Sequence, residues 1–213
     1  ADWYSATLDS WKKNPAGTLL PDQDPALEQL STDLKNKIQF YCNSADELQV
    51  QRYSRLADEL KFNPVYVGSG KEFRWLDAIS TLKTSSWIVP LTFPKAPDVS
   101  SPEKSADVTL DELLFWDSAP ENPALLFGKG IRFSISTKGL PDGTTFLANL
   151  RQAVKRGLPE NEALKSLTET PANLLGISAT HGTIEPGKTA NLVITSGKLF
   201  DEQTQIKEIW IRG

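Results

Sequence analysis

Short apolar runs alternate with longer segments of helical periodicity through most of the chain. Four runs are predicted to be strands, each followed by a helical segment: KIQFYC (37–42), Val65–Val67, SSWIVPLTF (85–93) and IRFSIS (131–136). Such βα units form parallel strands joined by helical crossovers. Because a closed (β/α)₈ barrel needs eight strands and about 250 residues, the pattern predicts an α/β fold that is either an open sheet or part of a barrel.

Helices are predicted before and between these strands. Residues 1–14 and 26–34 form two of them, and the first has apolar residues at helical spacing, namely Trp3, Tyr4, Leu8 and Trp11. After the first strand, Asn43 and Ser44 are predicted to cap a helix. The buried face of that helix is predicted to consist of Ala45, Leu48, Leu56, Ala57 and Leu60.

Residues 93–108 are the longest stretch without apolar periodicity, and their prolines predict a loop. Loops of this length either cover a binding site or are plain surface excursions, and the sequence leaves both open. Thr109 is predicted to cap the next helix, which Pro120 and Pro123 divide.

The C-terminal part of the chain changes its pattern twice. Residues 157–176 predict two short helices, the first with an inward face of Ala163, Leu164 and Leu167. From residue 177 the period becomes two, with a turn at 185–188 and strands at 191–195 and 206–211. The end of the chain is therefore predicted to be a small β appendage.

Composition and charge narrow the function classes. The 213 residues are 39% hydrophobic and 23% charged, as in ordinary globular proteins, and a net charge of -4 without a basic run argues against a nucleic-acid partner. No apolar run approaches the ~20 residues of a spanning helix, and residues 1–20 lack a signal-peptide pattern. With one histidine, His181, and one cysteine, Cys42, the chain cannot build a two-histidine metal site or an internal disulfide.

The segment RGLPENEALKSLTETPANLLGISATHGTIEPGKTANLVI (156–194) resembles the C-terminal signature of the amidohydrolase superfamily. The resemblance implies that residues 1–176 are the last four βα units of a (β/α)₈ barrel. It implies that residues 177–213 are a strand segment of a β-sandwich that also takes N-terminal strands. The segment from TFPKAPDVSS through STKG is similar to a bacterial subgroup of large, often exported members. The resemblance implies a bacterial protein and leaves its export open.

The family implies a zinc or other divalent metal site at the C-terminal end of the barrel, where the ion activates water for hydrolysis of C–N bonds. Carried over by position, Asn43 and Gly68 lie where the family has histidines on the fifth and sixth strands, and Lys138 lies where it has the eighth-strand aspartate. An amide, a glycine and an ammonium are not zinc ligands. We therefore expect no cofactor in this chain, although the full-length protein could hold a metal.

The sequence leaves the role of Lys138 open. It could hold an anionic substrate or, with a lowered pKa, act as a base or form a Schiff base; it could also be a solvated lysine after a strand. Asn43, Gly68, Lys71 and Thr137 are the other candidate substrate-binding residues. The Gly68–Gly70 turn could cradle an anion or be a plain βα turn. His181 is predicted at the surface, and Cys42 in the core.

Three functions follow from these patterns. The chain is the C-terminal half of an amidohydrolase-like hydrolase, inactive alone; or a catalytically degenerate barrel that binds a ligand or partner; or an open-sheet binding protein complete in itself. The first is preferred here, with a small-molecule substrate. Exposed barrel edges are then expected to be covered by the missing N-terminal half or by a second copy.

Overall fold

A computed structural model describes residues 2–17, 20, 22–82 and 86–213. Residues 1 and 85, which belong to the predicted first helix and third strand, lie outside this description. No helix within it is long and apolar enough to cross a membrane.

Four parallel strands form the central sheet, in the order of the sequence: β1 (Phe40–Asn43), β2 (Pro64–Val67), β3 (Ser86–Pro90) and β4 (Phe133–Ser136). Helical segments connect consecutive strands. The predicted α/β fold with parallel strands is therefore confirmed. The third strand ends at Pro90, as the missing N–H of proline favours.

Ten α-helices lie along the described chain. They are α1 (Asp2–Lys13), α2 (Pro25–Lys35), α3 (Glu47–Leu60), α4 (Leu76–Ser80), α5 (Pro102–Asp107), α6 (Leu110–Ser118), α7 (Asn122–Gly128), α8 (Gly143–Lys155), α9 (Glu160–Leu167) and α10 (Glu169–Leu174). Short 3₁₀ segments precede α4 and α7, at Glu72–Trp75 and Ala119–Glu121. The second of these contains Pro120, which divides the predicted helix as expected.

Strand alternation gives the sheet two different faces. Cys42, Tyr66, Trp87 and Phe133 are neighbours in register, and all four belong to the buried core. Helices α3, α4, α7, α8 and α9 contribute Val50, Ile79, Leu126, Leu150, Ala153 and Ala163 to the same core. The next row, Asn43, Val67, Ile88 and Ser134, points to the opposite face because successive side chains alternate.

The predicted cap and buried face of α3 were wrong. Asp46 caps this helix by accepting a 2.9 Å hydrogen bond from Gln49 N, whereas the Ser44 hydroxyl donates to Cys42 O. The helix starts later than expected and buries Val50 and Ala57. Of the predicted face only Ala57 is buried, and Leu48 and Leu56 are 63% and 45% exposed.

Three further predictions need correction. The first strand begins at Phe40 rather than at residue 37. The predicted loop at 93–108 contains α5, which begins after Ser101, whose hydroxyl accepts from Lys104 N. Leu164 is exposed, although its predicted partner Ala163 is fully buried. In contrast, Thr109 caps α6 through a reciprocal capping box with Glu112.

The C-terminal strands β5 (Leu192–Thr195) and β6 (Ile206–Trp210) pair as an antiparallel hairpin. Arg151 of α8 holds the loop between them, because its guanidinium donates to the carbonyls of Leu199, Glu202 and Thr204 at 2.9–3.3 Å. Every residue of β6 is exposed. The hairpin is therefore anchored at its loop, and its second strand is uncovered.

Candidate functional site

Three predicted site residues lie at the C-terminal ends of the parallel strands, which we call the C-terminal edge. Asn43 is the last residue of β1, Gly68 follows β2, and Lys138 lies two residues beyond β4. Parallel strands bring such positions to one edge of a sheet, which is where α/β proteins bind their ligands.

A tight turn fixes the backbone of Lys138. Leu140 N donates to Thr137 O at 3.0 Å, and Gly139 has φ +78°, the value that the third residue of a type II turn requires. The Thr92 hydroxyl, just beyond β3, donates to the carbonyl of Lys138 at 2.6 Å. The turn is therefore tied to the neighbouring strand. Thr137 lies in this turn with an exposed side chain.

The side chains of Lys138 and Asn43 meet across the C-terminal edge. Lys138 Nζ donates to Asn43 Oδ1 at 2.6 Å, although 95 residues separate them in the sequence. Within the described ranges Lys138 makes no ion pair with a carboxylate. Since an ammonium group can only donate, the oxygen of the Asn43 amide must face it, and the amide NH₂ is directed elsewhere.

Two serine hydroxyls lie on the face of the sheet that carries Asn43. Ser134 is level with Asn43 in the register of the strands, and Ser136 follows on the same face. Both Oγ atoms are buried and lack a hydrogen-bond partner among the residues that the structure describes. Buried hydroxyls of this kind are normally paired with protein, water or ligand.

The Gly68–Gly70 turn encloses the carboxylate of Glu72, which the sequence analysis did not count among the candidate substrate-binding residues. Glu72 is 0% exposed, and its Oε1 accepts from Ser69 N at 2.6 Å and Gly70 N at 3.0 Å. Its Oε2 accepts from Asn122 Nδ2 at 2.6 Å. A β-carbon at position 68 would lie 2.3 Å from Glu72 Oε1. The turn therefore binds an anion of its own chain, and that anion requires glycine at position 68.

Asn122 completes this buried network from α7. Its Oδ1 accepts from Phe73 N at 2.7 Å while its Nδ2 donates to Glu72. Each polar atom of the pair thus has a partner, which a buried carboxylate needs. A glycine turn followed by glutamate was visible in the sequence, but the partner lies 50 residues further on.

Lys71 is directed to an aromatic ring. Its Nζ lies 4.6 Å from the centroid of the Phe115 ring, which also stacks with Phe73 at a centroid distance of 6.4 Å. Arg74 forms a 2.7 Å ion pair with Asp111 beside this group, and its hydrogen bond holds the pKa of Asp111 below the usual value. Lys71 therefore contacts an aromatic ring, and its recorded contacts do not include Lys138 or Asn43.

A shallow cleft of about 470 Å³ lies between the 93–108 segment and α6. Its lining mixes both charges, with Lys95 and Lys104 beside Asp98, Asp107 and Glu112. Lys104 is already paired with Asp98 at 2.6 Å. The lining therefore carries one more negative than positive side chain, which is too small an excess to select a ligand.

The residues at the C-terminal edge do not suit a divalent metal. An amide, a glycine and an ammonium occupy the positions where the resemblance implies ligands, and the described residues contain no group of three His, Cys, Asp or Glu side chains that could hold an ion. Cys42 is 8% exposed and belongs to the core, as predicted, and burial raises the pKa of its thiol. His181 is partly exposed, and its Nδ1 lies 2.8 Å from the hydroxyl of Thr180.

Comparison with known proteins finds a family match over less than half of the chain. Residues 121–213 match the model of the Amidohydrolase family. The imidazolonepropionase of Flavobacterium psychrophilum is 33% identical over 98 residues, which are 43% of this chain and 24% of that protein. These two matches confirm the resemblance to amidohydrolases.

Two solved structures share the fold. The amidohydrolase of Thermotoga maritima MSB8 has a TM-score of 0.69 at 23% identity, covering 100% of this chain and 53% of that one. An uncharacterized protein has a TM-score of 0.54 at 13% identity, covering 88% of this chain and 58% of that one. The chain thus spans about half the length of the structures that it matches.

Proposed function

We propose that this amidohydrolase-like chain is the C-terminal half of a protein whose parent reaction is hydrolysis of amide-type C–N bonds, and that it is inactive alone. The family match over residues 121–213 and the relative named as an imidazolonepropionase support the reaction class. The observation that carries the inactivity is the donor set at the C-terminal edge. Asn43, Gly68 and Lys138 provide no group that would hold an ion and activate water.

In this proposal residues 1–176 form the last four βα units of a (β/α)₈ barrel, and residues 177–213 supply strands to a composite β-sandwich. Support comes from the coverage of 53% of the Thermotoga maritima chain. The exposed apolar residues of the hairpin fit the same picture, because Val193, Ile209 and Trp210 would be covered by further strands.

The missing N-terminal half is the proposed partner, with a second copy of the chain as the alternative. Helix α6 buries none of its residues and exposes Leu110, Leu114 and Trp116. β1 is an edge strand, with Tyr41 47% exposed. Unpaired strand edges and apolar patches of this kind are normally covered in a native assembly.

A second candidate function is that of a ligand-binding module on a degenerate barrel. It is favoured by the Lys138–Asn43 hydrogen bond, which places a positive charge without a described counter-ion at the C-terminal edge. Candidate contacts to a small-molecule ligand are Asn43, Gly68, Lys71, Thr137 and Lys138. Because the Gly68–Gly70 turn already encloses Glu72, Gly68 would contribute shape rather than hydrogen bonds.

Metal content and hydrolysis test the proposal together. Elemental analysis and an assay against amide, lactam and ester substrates would be run on this chain and on the protein extended at its N-terminus. The chain is expected to hold no stoichiometric metal and to hydrolyse nothing. Metal-dependent hydrolysis by the chain alone would refute the proposal. Metal in the extended protein would favour the hydrolase function, and its absence the ligand-binding module.

A further inference from the structure

We propose that the C-terminal edge binds a small carboxylate between Lys138 and Asn43. This inference rests on the second candidate function, because it names the ligand class of that site. The geometry that carries it is an ammonium group on a fixed turn, hydrogen-bonded to the Asn43 amide and without a described counter-ion.

The unused groups at this point are donors. The Lys138 ammonium has three N–H groups, and one of them is directed to Asn43 Oδ1 at 2.6 Å. The Asn43 amide oxygen is thereby used, so its NH₂ group is what it offers to a ligand. An ammonium beside an amide NH₂ suits a carboxylate, whose oxygens only accept, and would repel a cation.

Two buried serine hydroxyls lie on the same face of the sheet as Asn43. Ser134 is 3% exposed and Ser136 is partly buried, and neither Oγ has a partner within the described part of the chain. Both lie on the face of Asn43 but on the opposite edge strand, and their Oγ atoms have almost no exposed surface for a ligand to contact. The ligand is therefore defined by its carboxylate alone.

Two carboxylates near the C-terminal edge already have other hydrogen-bond partners. Glu72 is enclosed by the Gly68–Gly70 turn and Asn122. Asp142, which follows the Lys138 turn, caps α8 by accepting from Thr145 N at 2.8 Å and from the Thr144 hydroxyl at 2.8 Å. Neither is therefore available as the counter-ion of Lys138.

The site is also preorganised for binding. The hydrogen bond from Thr92 to Lys138 O and the left-handed Gly139 hold the turn before a ligand arrives. Little backbone order would be lost on binding, which favours affinity for a small molecule.

Acetate and glycolate are the probes for this site. Each is titrated into the ¹⁵N-labelled chain at constant ionic strength, and amide shifts are followed at residues 137–139 and at the Asn43 side chain. Variant Lys138→Gln removes the charge. Lys207→Gln removes an exposed lysine on the hairpin and serves as the matched control, and chloride serves as the control anion.

We expect saturable shifts at these resonances, at least about tenfold weaker affinity in Lys138→Gln, and no change in Lys207→Gln. Glycolate is expected to bind about as tightly as acetate, because the two share the carboxylate that the site recognises. Shifts that do not saturate, or that persist unchanged in Lys138→Gln, would overturn the inference. A parallel titration with zinc distinguishes failure of this inference from failure of the proposed function. Saturable zinc-induced shifts at Asn43 and Lys138 would show a metal site at the C-terminal edge and would overturn the proposed metal-free function.

Discussion

Lys138 and Asn43 join the two edge strands of the sheet through a 2.6 Å hydrogen bond between Nζ and Oδ1. Strands β2 and β3 lie between them, so roughly 14 Å would separate the edge strands of a flat sheet. The bond spans this gap because the Thr92-anchored turn carries Lys138 over the C-terminal edge. A cation thus lies where related proteins are expected to hold a metal ion.

Loss of the Glu72 carboxylate should destabilise the fold. Glu72→Ala leaves Ser69 N, Gly70 N and Asn122 Nδ2 without their buried acceptor, which should cost about 2–4 kcal/mol of unfolding free energy. Glu72→Gln should also destabilise, since its NH₂ would face the NH₂ of Asn122. Urea unfolding measures both effects.

The exposed Glu59 of α3 provides the control for this change, and Glu59→Ala should alter the unfolding free energy by less than about 0.5 kcal/mol. An unchanged stability in Glu72→Ala would mean that the buried network contributes nothing to the turn.

A methyl group at position 68 should disturb the same network from the other side. The added β-carbon of Gly68→Ala would lie 2.3 Å from Glu72 Oε1, so we expect a loss of about 1–3 kcal/mol. Gly128→Ala is the matched control because a β-carbon there meets no atom within 4 Å and Gly128 ends α7. It should be neutral or slightly stabilising. Equal effects in the two variants, measured by thermal unfolding, would contradict the account.

Arg151 should control the mobility of the hairpin loop. Arg151→Ala removes all donors to Leu199, Glu202 and Thr204, and Arg151→Lys cannot reproduce the planar fork. Hydrogen exchange of residues 198–205 should accelerate in both variants, more strongly in Arg151→Ala. Arg55→Ala, on the exposed side of α3, is the control and should leave this exchange unchanged. Slow exchange in Arg151→Ala would show that the loop is held by other contacts.

Asp142 should contribute to the acid dependence of stability. Its pKa is lowered, chiefly by the backbone hydrogen bond from Thr145 and then by the hydroxyls of Thr144 and Thr145. A carboxylate with a lowered folded-state pKa stabilises above its unfolded pKa of about 4, and this contribution is lost as the pH falls through the folded value. Asp142→Asn keeps a capping residue but does not titrate, so its stability should fall less between pH 5 and 3.

Denaturant unfolding at several pH values checks this prediction, with Asp9→Asn on α1 as the comparison. If the unfolding free energy of the wild type and of Asp142→Asn fell equally between pH 5 and 3, the Asp142 cap would not contribute to the acid dependence.

The sheet could be read from the sequence because apolar runs such as WIVP are local signals, and the parallel pairing follows from the helical segments between them. The buried face of α3 could not, because tertiary packing selects Val50 and Ala57. The cap could not either, because Ser44 is used in hydrogen bonds to Cys42 O and Val67 O, which leaves Asp46 to cap the helix. Lys138 and Asn43 were each predicted as candidate site residues, but not as a contacting pair. Their contact depends on a turn tied to Thr92, which no local pattern encodes.

Zinc titration calorimetry on this chain at neutral pH tests the central claim most directly, with His181→Ala included to remove weak surface binding. The account predicts no binding event of fixed stoichiometry, because Lys138, Asn43 and Gly68 provide no ligand set. Tight one-to-one binding that persists in His181→Ala would contradict it. The C-terminal edge would then be a candidate metal site of a metal-dependent hydrolase.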